Sequence, residues 1–368
     1  MFIVDAHLDI AYNAARGRDP RMPARQQPVV DNEVATVGLP DLRAGNVGLI
    51  CATIFAEPAS EHRPRGYRNA EEAHAQALSQ LAWYERATGE GLMRPVRTAD
   101  ELPSERGTAV PAVRHREATP DVYAEDAAGR SSAHGRDAHA TSDPQPFILL
   151  LEGADPIRTP DDVRHFHDAG VRIVGLAWKR TRYAGGTAAP GPLTPEGREL
   201  VRVLDRFKII HDASHLAEES FWNLMDLMAG PVIASHSNCR AIVPGDRHLT
   251  DDMIREIAKR GGVIGINFYQ KFLVPPEELS KRRVTLNDVV GHVKHICDLT
   301  GSANHVGLGT DMDGGLGREQ IPVEIETIAD LQKLRDALVI GGFSDDRVQG
   351  IMSSNWVRCF GEHLGPLV

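Results

Sequence analysis

The chain has 368 residues, 42% of them hydrophobic, with a formal net charge of −10 and four cysteines. The acidic balance argues against a nucleic-acid partner, because phosphate binding needs clustered Lys and Arg, and local basic runs such as Lys281-Arg282-Arg283 are short, this one following Glu277 and Glu278. Cys51, Cys239, Cys297 and Cys359 show no C-x-x-C spacing, which fits reduced thiols and excludes a zinc ribbon.

Eight short apolar runs punctuate the chain: Phe2–Val4, Val47–Ile54, Phe147–Leu151, Val171–Ala177, Phe207–Ile210, Pro231–Ala234, Gly262–Phe268 and His305–Leu308. Each is rich in Val, Ile and Leu without clean alternation, the pattern of parallel strands buried on both faces. Helical patterns lie between most of them. They are Ala70–Thr88, Pro160–Ala169, Thr194–Arg206 (opened by Thr-Pro-Glu-Gly), Ala217–Ala229, Thr250–Lys259, Leu286–Thr300 and, after the eighth run, Asp330–Gly341. Alternating strand and helix imply a parallel sheet. Eight units favour an α/β fold of the closed (β/α)8 TIM-barrel type over an open doubly wound sheet. The first strand also lacks a G-x-G-x-x-G turn. We expect one barrel domain over 1–368.

The stretch 94–146 breaks the rhythm, with no convincing apolar run and an excess of Ala, Ser, Asp, His and Arg from Arg114 onward. It is expected to be a polar insertion between the second and third strands, with the composition of a mobile segment. His115, His134 and His139 fall in it and are expected to be solvated. The N-terminus shows neither a basic leader nor a long apolar stretch, and no segment reaches the length of a membrane span, so the expected location is the cytoplasm with no membrane contact.

Metal-binding residue types recur where these strands end: Asp5-Ala6-His7-Leu8-Asp9 on the first, Glu152-Gly153 on the third, Asp212-Ala213-Ser214-His215 after the fifth, Ser235-His236-Ser237 on the sixth and Gly309-Thr310-Asp311-Met312-Asp313-Gly314 on the eighth. In a barrel of this type the carboxyl ends of the strands face one mouth, which carries the active site. Imidazole nitrogen and carboxylate oxygen suit zinc and similar ions. His7 and Asp9 point the same way from an extended backbone, and Glu152 can bridge two metals. Two metals sharing one water make a strong nucleophile at neutral pH, and Asp311 can relay its proton. Singly, each residue is weak: a lone His after a strand is usually structural, and Asp311 and Asp313 sit beside glycines as turn residues do. The coincidence at five strand ends carries the reading.

Taken in order, Asp5-Ala6-His7-Leu8-Asp9, Leu151-Glu152-Gly153, Ala213-Ser214-His215, Ala234-Ser235-His236-Ser237, Asn267-Phe268-Tyr269 and Gly309-Thr310-Asp311-Met312-Asp313-Gly314 resemble the renal or membrane dipeptidase family of metallopeptidases, within the amidohydrolase group. The resemblance implies a zinc dipeptidase with two Zn²⁺ per chain, manganese or cobalt being able to take the same ligands. His7, Asp9 and Glu152 would hold one ion, and Glu152, His215 and His236 the other. It also implies Asp311 as catalytic carboxylate, Arg247 as receptor of the substrate carboxylate, Tyr269 on the site wall, a dipeptide or similar small amide as substrate, and by analogy a homodimer. One departure stands out: where animal dipeptidases carry a substrate-binding histidine after the fourth strand, this chain reads Leu176-Ala177-Trp178-Lys179, which places Trp178 among the candidate substrate contacts. The insertion, and the lack of a secretion signal or lipid anchor, point to a soluble bacterial-type relative. Two alternatives stay open. One is another binuclear amidohydrolase, acting on an N-acyl amino acid, lactone or ester, for which Lys179 stands where a carbamylated lysine would bridge the metals. The other is a non-catalytic barrel.

Overall fold

A computed structural model describes residues 1–60, 64, 66–103, 143–228 and 230–365. Among the described residues nine strands form one sheet: β1 (Ile3–Leu8), β2 (Val47–Phe55), β3 (Met93–Pro95), β4 (Gln145–Glu152), β5 (Val171–Gly175), β6 (Ile210–Asp212), β7 (Val232–Ile233), β8 (Ile264–Ile266) and β9 (Val306–Leu308). Eight of them run in the order β7-β6-β5-β4-β2-β1-β9-β8, with β3 paired to β4 off this path. Every pairing is parallel. The open ends meet through a parallel bridge between Ala234 and Ile264, with Gly265 N–H donating to the Ala234 carbonyl at 2.8 Å. The result is a (β/α)8 barrel.

Each of the eight apolar runs overlaps one barrel strand, and the helices fall where their periodicity put them. Those of Ala70–Gly89, Pro195–Arg206 and Asp251–Lys259 start at Asn69, Thr194 and Thr250, whose side chains accept from Glu72, Gly197 and Met253 N–H, as N-cap residues do. Two differences bear on the site. The first strand runs on to Leu8, so Asp5 and His7 lie within the sheet. The fifth begins at Ile210 rather than Phe207, because Phe207 caps the preceding helix and Lys208 turns through φ 53°.

Stretch 94–146 also begins inside the sheet rather than beyond it. Met93–Pro95 pairs with Gln145–Phe147, a strand hidden from apolar-run reading because Arg94 and Pro95 interrupt it while only Met93 and Val96 are buried. The rest of the expected insertion, 104–142, lies outside the described residues, as do His115, His134 and His139.

The core has two compartments. Ile3, Leu8, Ile50, Ile54, Leu149, Leu151 and Val174 face the outer helices. Val4, Ala6, Leu49, Cys51, Ile148, Leu150, Ile173, Ile210 and Ile233 face inward. The helix Asn355–His363 closes the lower end of this inner compartment, adding Trp356, Cys359 and Phe360. Trp356 Nε1 donates to the Leu308 carbonyl at 2.9 Å; Gly307 is required there, since any Cβ would collide with the indole. Along β1 the inward residues Val4 and Ala6 give way to outward Leu8, and the register with β2 shifts between Asp5 and Leu8. That change of parity is what allows His7 and Asp9 to turn to the mouth.

Candidate metal centre

The upper interior of the barrel is polar and buried. His7, Asp9, Thr53, Glu152, Asp212, His215, Ser235, His236, Asn267 and Asp311 all lie there with little or no exposure. Two of them hold backbone conformations that side chains seldom adopt: His215 at φ 64° and Asp311 at φ 59°. Such strain at functional positions is retained only where the surroundings enforce it. Gly314 makes room for it, because a Cβ there would strike the Asp311 carboxylate and sit 2.9 Å from Asp9 Oδ2.

Glu152 occupies the centre. Its Oε2 faces His7 Nε2 at 3.4 Å, while its Oε1 faces His215 Nε2 at 3.3 Å and His236 Nε2 at 3.4 Å. The potential ligand atoms of His7, Asp9 and Glu152 lie within 4.8 Å of one another, and so do those of Glu152, His215 and His236 and of His7, His236 and Asp311. One carboxylate thus presents one oxygen to each of two donor sets.

The residues fit divalent cations on grounds internal to the chain. His215 Nε2 and His236 Nε2 approach to 3.0 Å. Burial holds both imidazoles far below the ordinary histidine range, so each is neutral. Neutral imidazoles bound through Nδ1 turn bare Nε2 lone pairs toward each other and toward a carboxylate. His7 Nε2 is buried with no hydrogen-bond partner among the described residues. Burial alone would lower His7, but Glu152, Asp9 and Asp311 pull it up to about 10. Burial raises Asp9 to about 6 and Asp311 to about 8, against the opposing pull of His7 and with like-charge repulsion adding to the rise. Three packed carboxyls and three imidazoles are a surplus of ligand that positive charge would relieve.

Around this cluster the polar contacts are directional. Asn267 Nδ2 donates to Asp311 Oδ2 at 2.9 Å, and its Oδ1 accepts from Tyr269 N–H at 2.7 Å. The Thr53 hydroxyl donates to Asp9 Oδ1. Arg247 is buried, its Nη1 donating to Ser237 Oγ at 3.0 Å and Nη2 to the His236 carbonyl at 2.6 Å. Its Nε has no partner among the described residues.

A cavity of about 390 Å³ opens onto the cluster, lined by Asp9, Glu152, His215, Asp311, Arg247, Tyr269 and Trp178 among others. All the candidate site residues therefore gather at one mouth. Trp178 lies against Phe55, ring centroids 5.3 Å apart, and near His215 at 6.1 Å. Lys179 is exposed, with its ammonium 5.2 Å from the Trp178 ring; the place between the two histidine sets belongs to Glu152.

Sequence reasoning missed the residues that hold this cluster. Thr53 sits inside an apolar run, and its period-two position toward the mouth was the only available signal. Thr187, whose hydroxyl lies 3.0 Å from His215 Nδ1, comes from a loop with no pattern. Asp212 and Ser235 were visible as polar residues beside the histidines, but nothing in their spacing showed their partners. Asp313 turns away from the mouth, accepting from Thr36 and Val37 N–H at 2.8 and 3.0 Å and pairing with Arg18 at 3.2 Å. It anchors a loop.

A family model described as membrane dipeptidase (peptidase family M19) matches residues 129–364. The chain belongs to this family. The match begins beyond His7 and Asp9, which come from β1. An uncharacterized dipeptidase of Schizosaccharomyces pombe is 31% identical over 217 residues, 57% of this chain and 51% of its own length. Dipeptidase tcpJ of Claviceps purpurea is 32% identical over 224 residues, 58% of this chain and 50% of its own. The chain thus spans about half the length of these relatives. Among solved structures, the M19 metallopeptidase dipeptidase AC superposes with a TM-score of 0.74 at 25% identity, covering 100% of this chain and 99% of that one. A metallopeptidase from Rhodobacter sphaeroides, liganded with a phosphinate mimic of the dipeptide L-Ala-D-Ala, gives 0.74 at 24% identity over 99% of both chains and speaks for the fold. The matched family is described as one of peptidases, and dipeptidase AC as a metallopeptidase. No helix among the described residues is long and apolar enough to cross a membrane.

Proposed function

We propose that this protein is a two-metal dipeptidase. The observation that carries the reading is Glu152, one buried carboxylate with each oxygen turned to a different imidazole set. His7, Asp9 and Glu152 would hold one ion, and Glu152, His215 and His236 the other, zinc first and manganese or cobalt as substitutes. When bound, such a pair makes a water acidic enough to attack at neutral pH and polarises the scissile carbonyl.

The chain's own residues do the rest. Arg247, pinned by Ser237 and the His236 carbonyl, presents its remaining N–H edge to the substrate carboxylate, a task suited to a planar guanidinium. Asp311, aimed by Asn267, takes a proton from the attacking water and delivers it to the leaving amine. Trp178 and Phe55 form an apolar wall, and Tyr269 also lines the cavity. The cavity of about 390 Å³ has room for a dipeptide. The Rhodobacter sphaeroides relative, bound to a dipeptide mimic, supports the same substrate class.

The test is a library of dipeptides, including L–D pairs and N-acyl amino acids, assayed on zinc-loaded protein. We expect dipeptide turnover. Arg247→Met should raise KM by about 30-fold or more, the cost of leaving a carboxylate without its cation, and spare substrates lacking that carboxylate. Turnover of N-acyl amino acids alone would move the function to another amidohydrolase, with Trp178 as the residue that excludes a free amine.

A further inference from the structure

The Nδ1 atoms of two histidines, one from each donor set, converge on a single hydroxyl. Ser235 Oγ lies 2.7 Å from His236 Nδ1 and 3.3 Å from His7 Nδ1. One atom can serve both because the two rings stack, centroids 3.6 Å apart and planes 29° from parallel. The hydroxyl has one proton to give, and its shortest contact fixes where that proton goes: Ser235 Oγ donates to Asp212 Oδ2 at 2.5 Å. Asp212 is held in turn, its Oδ1 accepting from Ser214 N–H at 2.9 Å and Ser235 N–H at 2.8 Å. All of these groups are buried.

A serine oxygen that donates to a carboxylate has only lone pairs left for the imidazoles. His236 and His7 must then donate from Nδ1–H, which reserves Nε2 for a metal, and Nε2 is the atom that each turns toward Glu152. His215 lies outside this arrangement; its Nδ1 meets Thr187 Oγ1 at 3.0 Å.

From this we infer that Ser235, polarised by Asp212, is a positioning residue shared by both metal sites, setting the tautomer of one histidine ligand in each so that the two sites gain or lose affinity together. The inference rests on the two-metal reading above. Its consequence is that a change remote from both ions, at one hydroxyl, weakens both. Loss of the Thr187 hydroxyl touches His215 alone.

The test is equilibrium titration of the metal-stripped full-length protein with Zn²⁺ against a chromophoric chelator, which reads two affinities without an activity assay. The series is wild type, Ser235→Ala, Thr187→Val and Asp212→Asn, each checked for folding by circular dichroism. In Asp212→Asn the carbonyl oxygen must still accept from Ser214 and Ser235 N–H. The amide NH₂ then faces Ser235 Oγ and donates to it, freeing the hydroxyl proton to point at His236 Nδ1 and favour the wrong tautomer. We expect two ions in wild type, both weakened about 10-fold or more in Ser235→Ala and more strongly in Asp212→Asn, and one weakened in Thr187→Val. Asp212→Asn, which keeps shape and volume, carries the test alone if Ser235→Ala does not fold. Two ions in wild type with one or neither weakened in the Ser235 and Asp212 variants overturns the inference and leaves the two-metal reading standing. Fewer than two ions in wild type overturns both.

Discussion

The lower and upper halves of the barrel interior come from the same strands and are opposite in character. β1 supplies Val4 and Ala6 to the floor and His7 and Asp9 to the mouth; β4 supplies Ile148 and Leu150 below and Glu152 above. The floor is apolar, sealed by Trp356 and Phe360, and each residue there lowers the free energy by leaving water. The mouth buries three carboxyls and three imidazoles; the proton affinities of Asp9, Asp311 and His7 are raised and those of His215 and His236 lowered, and two of its residues hold left-handed backbone. The lower half stabilises the fold, and the upper half spends part of that stability on geometry. In β1 the shift of register between Asp5 and Leu8 marks the change from one to the other.

That division can be broken from either side. The largest expected effect is at the mouth. Glu152→Ala removes the oxygen facing each donor set, so hydrolysis should fall to the detection limit while circular dichroism and the unfolding midpoint stay near wild type. A protein that keeps activity would show the two halves to be misassigned. Asp311→Asn keeps shape and hydrogen bonding to Asn267 but not basicity. It should lower kcat by about 10²–10⁴-fold with metal content and KM little changed, as read from steady-state kinetics.

From the floor, Trp356→Ala should cost about 3–5 kcal/mol of stability in urea unfolding, while kcat/KM of the remaining folded fraction stays within a few-fold of wild type. A large loss of catalysis at unchanged stability would mean that the plug is coupled to the mouth.

A smaller effect lies outside both halves, at His211 on β6. Its ring is buried, neither nitrogen has a hydrogen-bond partner among the described residues, and burial lowers it to about 4. An unfolded histidine titrates near ~6.5, so between these values the unfolded chain binds more protons than the folded one. Stability from this group is therefore present above pH ~6.5 and is lost as the pH falls toward 4, on the order of 2 kcal/mol by about pH 4.5. Urea midpoints should show wild type losing stability relative to His211→Leu as the pH drops from neutral toward about 4.5. Parallel curves would contradict the assignment of His211 as a neutral buried group.

Much of this was legible in sequence, for a physical reason. Doubly buried parallel strands leave continuous runs of Val, Ile and Leu, and the fold sends their carboxyl ends to one face. His7, Asp9, Glu152, His215, His236 and Asp311 could therefore be grouped across the chain without knowing a distance. What could not be read is whatever depends on which way a side chain turns. Asp311 and Asp313 look alike two residues apart, yet one faces the mouth and the other Arg18 and Thr36. Ser235 and Asp212 stood beside the histidines in plain view, but a hydroxyl that joins β1 to the end of β7 requires the stacked rings to be seen. β3 escaped because three residues containing Arg94 and Pro95 carry no periodicity.

The most direct test of the account is the number of divalent ions bound per chain at equilibrium dialysis against micromolar zinc. The two-set geometry around Glu152 predicts two ions in wild type. A value of one or zero in folded protein would contradict the claim that the mouth of this barrel is a bridged metal pair.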